Sequence, residues 1–352
     1  MQLLTPITLG ALSLKNRVVM APMTRSRADE QGDMPNALMR EYYRQRATAG
    51  LIITEGSHPS ADGKGYCRTP GLYNDAQQGA WAEICKAVHD EGGKIVLQLM
   101  HCGRVAHAAN KAPGARTVAP SAVAARGQIY TETGMQNFAQ PEAMSPADIR
   151  QTIADYAAAT RRAYAAGFDG VELHCTSGYL PAQFLSTGSN LREDDYGGSL
   201  SKRLRFVLEV LEAMAAVDGA GRVGMRICPG NPFNDLHDDD HRETFAALLE
   251  AANPLGLAYL HVIRMPKVGD NIALAKRHFS GPLIVNDSYS REEAELALAA
   301  DPQIAAVSFG RAFIANPDLP RRFAEGLALA EIDPSSLYTA GAKGYTDYPP
   351  AG

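Results

Sequence analysis

The segment "VELHCTSGYL", Val171 to Leu180, ends an apolar run on His174, sets Ser177 three positions later and Tyr179 two beyond that. A neutral imidazole N–H can donate to an oxygen on which negative charge develops, and a phenol can deliver a proton to carbon. A histidine at the end of a strand is also a common hydrogen-bonded core residue, and a lone tyrosine more often packs than reacts. The neighbours decide between these readings. Other apolar runs end on Pro22 and Thr24, on Glu55 and Gly56, on Gln98 and His101, on Arg226, on Asn286, and on Gly310 with Arg311. Two arginines, a glutamine and a threonine, beside small residues that let backbone approach, suit a flat, polar-edged, phosphorylated ligand.

The runs that carry these residues number eight: 17–22, 50–56, 94–101, 169–175, 222–229, 257–264, 281–287 and 305–311. They read as near-continuously apolar, as strands covered on both faces do. Helical segments fill the gaps. One spans 37–50 and ends on a glycine suited to a helix stop. Another spans 145–167 and opens with a capping box of Ser145 and Asp148. A third, 290–300, repeats that box with Ser290 and Glu293, and a fourth, 316–330, starts at Asn316 as N-cap. Eight strand–helix units imply an α/β fold, most simply a closed (β/α)₈ TIM barrel; an open doubly wound sheet is the rival. No G-x-G-x-x-G follows the first strand, which weakens that rival as a dinucleotide binder. "TPITLGALSLKN" reads as an N-terminal β-hairpin closing the barrel floor. Residues 102–144 and 176–198 are long βα-loop excursions from strand C-terminal ends, where barrels build active sites.

Residues 1–352 are thus expected to form a single barrel domain, 45% apolar and 21% charged. A net charge of −5 argues against a nucleic-acid footprint, no apolar run reaches membrane-span length, and the N-terminus lacks signal-peptide character. Cys67, Cys85, Cys102, Cys175 and Cys228 form no C-x-x-C pair, which fits free thiols and a cytoplasmic location. "HDDDH" (237–241) holds hard metal ligands, but consecutive side chains diverge and the run opens a helix; no metal is expected.

The chain resembles the Old Yellow Enzyme family of FMN-dependent ene-reductases over nearly its whole length. The resemblance rests on "NRVVMAPMTRSRA", "EYYRQRATAGLIITEG", "KGYCRTPGLY", "QLMHCGR", "AGFDGVELHCTSGYLPAQFLSTGSNLREDDYGGS", "AVSFGRAFIANPDL" and "GYTDYP" in that order. It implies FMN as cofactor and NAD(P)H as reductant, visiting the same cavity in turn with a small-molecule alkene substrate. It implies that Pro22, Met23, Thr24, Gly56 and Gln98 surround the flavin ring, and that Arg226 lies near its N1/O2 side. Asn286, Asp287, Gly310 and Arg311 fall at the phosphate end. His174 corresponds to the donor to the substrate oxygen and Tyr179 to the proton donor, with Tyr66 and Tyr338 lining the substrate cavity. A monomer or homodimer is expected.

Three places depart from the family pattern. Ser177 stands where asparagine or histidine usually offers a second oxygen donor, and its shorter side chain reaches less far. Met100 replaces a frequent tryptophan and softens one wall. Asp287 and Ser288 occupy a stretch that is often glycine, so the Asp287 carboxylate is expected to turn from phosphate while its N–H donates. A flavin-binding barrel with lost or altered turnover is the alternative that Ser177 raises.

Overall fold

The computed structural model describes residues 1–352. The chain opens with a hairpin of β1 (Ile7–Leu9) and β2 (Leu12–Leu14), then enters β3 (Val18–Met20), α1 (Ala37–Gln45), β4 (Leu51–Ile53), α2 (Asp75–Asp90) and β5 (Ile95–Leu99). An excursion follows, with β6 (Val118–Ala119), β7 (Gln128–Thr131), β8 (Gly134–Asn137) and β9 (Glu142–Ala143). Next come α3 (Pro146–Ala165), β10 (Gly170–His174), α4 (Leu180–Leu185), α5 (Leu200–Asp218), β11 (Val223–Ile227), α6 (His241–Ala252) and β12 (Tyr259–Ile263). The last units are α7 (Asn271–His278), β13 (Leu283–Asn286), α8 (Arg291–Ala300), β14 (Ile304–Phe309), α9 (Arg311–Ala315) and α10 (Leu319–Glu325). Strands β3, β4, β5 and β10 to β14 pair in parallel and close into an eight-stranded barrel, β14 meeting β3. The (β/α)₈ expectation therefore holds, and the open sheet is excluded.

Each barrel strand alternates in what it buries. Val18, Met20, Ile52, Leu97, Leu173, Met225 and Val262 face outward into the main core with the helices. The alternate positions Val19, Ile53, Val96, Tyr259, Ile284 and Ala306 face inward and pack with Leu9, Leu12 and Leu14 of the hairpin. The hairpin thus plugs the barrel floor, as its sequence implied. On six of the eight strands an inward residue near the C-terminal end is polar: Gln98, Glu172, Arg226, His261, Asn286 and Ser308, each 8% exposed or less. The barrel interior is apolar below and polar above, a division the near-continuous apolar reading had hidden.

Several boundaries differ from the expected ones. The first helix stops at Arg46, not Gly50; a Cβ at Gly50 would run into the Asn16 carbonyl, so that glycine marks a close approach between segments. The fourth predicted helix is shortened to α10, with Asp318 and not Asn316 as its N-cap, and the separate short α9 lies before Asn316. The Asn316 amide instead donates to the Ala312 and Ala330 carbonyls. The capping boxes at Ser145 and Ser290 are present as expected. Strand ends also fall short of the apolar runs: β3 stops at Met20 and β4 at Ile53, so Pro22, Thr24 and Gly56 leave the ladder and are free to face a ligand. The excursion over 102–144 holds the antiparallel hairpin β7–β8, which the sequence reading had not resolved.

Candidate active site

A cavity of about 960 Å³ opens at the C-terminal end of the barrel, where this fold builds its sites. Eleven of the sixteen residues singled out by sequence line it: Pro22, Thr24, Gly56, Tyr66, Gln98, Met100, His174, Ser177, Tyr179, Arg226 and Tyr338. Five do not. Met23 lies against Gly310, with its Sδ 3.4 Å from where a Cβ on that glycine would stand. Asn286 sits one step behind the wall, its Oδ1 accepting from Arg226 Nη2 at 2.7 Å. Asp287, Gly310 and Arg311 flank the cavity at the ends of the adjacent strands β13 and β14.

His174 ends β10 on the inward side, and the chain then turns through Ser177 and Gly178, whose φ angles are +60° and +78°. Two successive left-handed residues need little or no Cβ bulk. At Gly178 a Cβ would also lie 2.7 Å from the Phe233 carbonyl and 2.8 Å from the Asn234 Cβ. This turn brings the Tyr179 ring edge-on to His174, with centroids 4.8 Å apart. The two phenol oxygens of Tyr179 and Tyr66 are 3.0 Å apart. Burial, and then the charge of Arg226, push the His174 imidazole down to about 3, so it is neutral throughout the physiological range. Burial raises the Tyr179 phenol well above its ordinary value, so it holds its proton. His174 Nδ1 is buried with no partner in the chain, leaving the tautomer free to suit a bound molecule.

Ser177 is half-buried, and the loop after β11 sets two asparagine amides against it. The Asn231 amide reaches Ser177 Oγ at 3.4 Å, and the Asn234 amide donates to the Ser177 carbonyl at 2.9 Å and approaches Tyr66 Oη at 3.4 Å. Sequence reasoning missed both asparagines, which lie in the loop after β11; "NPFND" carried no motif. It also missed the rim. Tyr130 and Glu132 of the β7–β8 hairpin line the mouth with Arg68, Phe233 and the C-terminal stretch around Tyr338. Arg68 joins three of these pieces through an ion pair with Glu132 and hydrogen bonds to the Ser26 and Tyr338 carbonyls.

Not every strand-end residue turns inward. Glu55 is buried against the Tyr43 hydroxyl, and His101 accepts from the Gly103 N–H. Cys102 and Cys175 are buried, which pushes Cys102 up to about 12 and Cys175 up as well, so neither is a ready thiolate. In the "HDDDH" run, Asp240 pairs with Arg203 and His237 with Asp239, a solvated helix entrance.

The donor set fits a flavin mononucleotide. Gln98 Nε2 donates to Glu172 at 2.8 Å, so its carbonyl oxygen is left to accept from a ligand, while Arg226 supplies the opposite polarity two strands away. At the far end, Arg264 takes the Asp287 and Ser288 carbonyls at 2.7 Å each. In a trans peptide the following N–H points the other way. The N–H groups of Asp287, Ser288 and Gly310 have no partner in the chain, and Arg311 is exposed without an ion pair. The Asp287 side chain accepts from Ser288 Oγ.

Comparison with known proteins agrees with this geometry. Residues 2–330 match the model of the NADH:flavin oxidoreductase / NADH oxidase family. A probable flavin mononucleotide-dependent alkene reductase of Leishmania infantum is 41% identical, over 99% of this chain and 97% of that protein. The rice (Oryza sativa subsp. japonica) 12-oxophytodienoate reductase 1 is 38% identical, over 99% and 92%. Among solved structures, morphinone reductase in complex with tetrahydroNAD superposes with a TM-score of 0.93 at 43% identity, covering 99% of this chain and 98% of that one. An old yellow enzyme homologue from Zymomonas mobilis gives a TM-score of 0.94 at 38% identity, covering 99% of both.

The depressed imidazole carries a stability signature. The unfolded His174 binds a proton below about pH 6.5 and the folded one only near 3, so stability is full above pH 6.5 and falls as acid is added. His174→Gln should flatten the slope of unfolding free energy against pH between 4 and 6 by about 1.4 kcal/mol per pH unit. Urea titrations across that range measure it, and an unchanged slope would show that His174 titrates normally.

Proposed function

The chain belongs to the Old Yellow Enzyme family of NADH:flavin oxidoreductases, and on that premise we propose that it is an NAD(P)H-dependent FMN ene-reductase. Its substrates are alkenes activated by a carbonyl or nitro group. The observation that carries this reading is the pairing of a neutral His174 with a protonated Tyr179 on the wall of a cavity whose inner end holds Gln98 and Arg226. Bound FMN supplies the hydride that adds to the β-carbon of the alkene.

The protein's part is electrostatic and protonic. As hydride arrives, charge builds on the substrate oxygen, and the His174 N–H donates to it from a desolvated wall where such a bond is strong. The Tyr179 hydroxyl protonates the α-carbon, and Tyr66, 3.0 Å away, is placed to return a proton to it. Pro22, Met23, Thr24 and Gly56 would surround the ring, Asp287, Gly310 and Arg311 would serve the phosphate end, and Asn286, expected there from the sequence, instead holds Arg226 in place. The nucleotide reductant uses the same cavity before the alkene does. We read the whole chain as one barrel unit that works in the cytoplasm on small molecules, as a monomer or homodimer without nucleic-acid partners. No helix is long and apolar enough to cross a membrane.

The alternative, a flavin barrel without turnover, rests on Ser177. The two asparagine amides gathered round Ser177 and the Tyr66–Tyr179 contact argue against decay of the substrate side. The purified protein should be yellow, lose its colour with NADPH under anaerobic conditions, and regain it when 2-cyclohexenone is added. Colourless protein would refute flavin binding; bleached protein that the enone leaves bleached would favour the alternative.

Ser177 sets the strength of substrate activation in this reading. Its left-handed backbone suits asparagine at least as well as serine. Ser177→Asn should raise kcat/KM on 2-cyclohexenone about tenfold, the worth of one added hydrogen bond to a developing charge. An unchanged value means that position 177 does not address the substrate oxygen.

A further inference from the structure

We propose that Glu172, which does not line the cavity, is a positioning residue that fixes which end of the Gln98 amide is presented at the edge formed by Gln98 and Arg226. The proposal rests on the reading above, in which that edge receives the flavin ring.

A glutamine amide can lie either way round, presenting oxygen or NH₂ to a ligand. The neighbour here removes the choice. Glu172 is wholly buried, and a carboxylate only accepts, so Gln98 must turn its NH₂ towards Glu172 Oε1 at 2.8 Å. Its carbonyl oxygen is thereby the group left for a ligand. The second carboxylate oxygen, Oε2, lies 2.9 Å from His261 Nδ1, so that nitrogen carries the ring proton and Nε2 is the acceptor. Nε2 is met by the Ser308 hydroxyl at 2.7 Å and by Arg226 Nη1 at 2.5 Å. Arg226 Nη2 is held by Asn286 Oδ1 at 2.7 Å, and the Asn286 amide is fixed in turn by donating to the Ser308 carbonyl at 2.9 Å.

The Gln98 flip and the His261 tautomer both follow from one buried carboxylate. Gln98, Glu172 and Arg226 stand on the neighbouring strands β5, β10 and β11. The layer therefore offers an acceptor on one side of Glu172 and a cationic donor on the other. An imide, an N–H flanked by carbonyls, is the complementary group, and it forms the pyrimidine edge of a flavin. Apolar residues of equal volume would fill the same space without desolvating charge, so polarity is what this layer contributes beyond packing.

The dissociation constant of FMN, read by quenching of flavin fluorescence on the deflavinated protein, tests this through a double-mutant cycle. Glu172→Gln and Gln98→Met should each weaken FMN binding about tenfold, about one hydrogen bond's worth. With no amide left to orient, the double variant should bind no more than about threefold more weakly than Gln98→Met alone. A product near a hundredfold, or Glu172→Gln binding like the native chain, overturns the inference. If Glu172→Gln does not fold, Glu172→Asp keeps the charge but falls one methylene short of Gln98. It should weaken FMN binding by a similar factor, and native affinity would overturn the inference. Native protein that takes up no FMN overturns the proposed function and this inference together.

Discussion

A carboxylate with no exposure at the middle of a closed barrel is the constraint on which the site depends. Glu172 would be costly to bury alone, and burial works to raise it. Its contacts with His261, the charge of Arg226 and the Gln98 hydrogen bond together hold it below its ordinary value, so it is ionised. Burial first and Arg226 second bring His261 down to about 4, so the imidazole is a neutral donor to the carboxylate and not its counter-ion. Arg226 supplies the charge balance. The same guanidinium, beside His174 in the strand register, adds to burial in depressing that imidazole, so both imidazoles are neutral.

Layering of the barrel makes this arrangement affordable. Below Glu172, the inward residues and the N-terminal hairpin form a dry plug, so no water reaches the carboxylate from the floor. Above it, strands end early and their last residues turn into the cavity. The positive-φ pair Ser177–Gly178 folds Tyr179 back over His174. Anchoring on the side proposed for the phosphate follows the same logic. Buried Arg46, its guanidinium 3.7 Å from the Tyr42 ring centroid, donates to the Phe313 and Ile314 carbonyls and fixes the segment just after Gly310 and Arg311.

Most of the barrel and of the inner cavity was legible in the sequence because parallel strands and their end residues leave local signals. Eight apolar runs, each closed by polar or small residues, are enough to name the fold and to pick out His174, Gln98 and Arg226. What escaped had no local signature. Glu172, His261 and Ser308 lie inside apolar runs, and only their alternation, two positions after an inward apolar residue, betrays a polar layer. Asn231, Asn234 and the β7–β8 hairpin sit in loops whose conformation is set by what they pack against. The helix ends expected at Gly50 and Asn316 were misplaced for a related reason: that glycine and that asparagine answer to tertiary contacts, with Asn16 and Ala330, and not to helix termination.

The most direct measurement is a crystal structure of the flavin-loaded protein with an enone in the cavity. The account requires the pyrimidine edge of the ring within about 3 Å of Gln98 Oε1 and of the Arg226 guanidinium. It also requires the enone oxygen at His174 and the Tyr179 hydroxyl over the opposite face of the alkene. A ring bound elsewhere, or a Gln98 amide whose NH₂ must face the ring while Glu172 turns away, would contradict it.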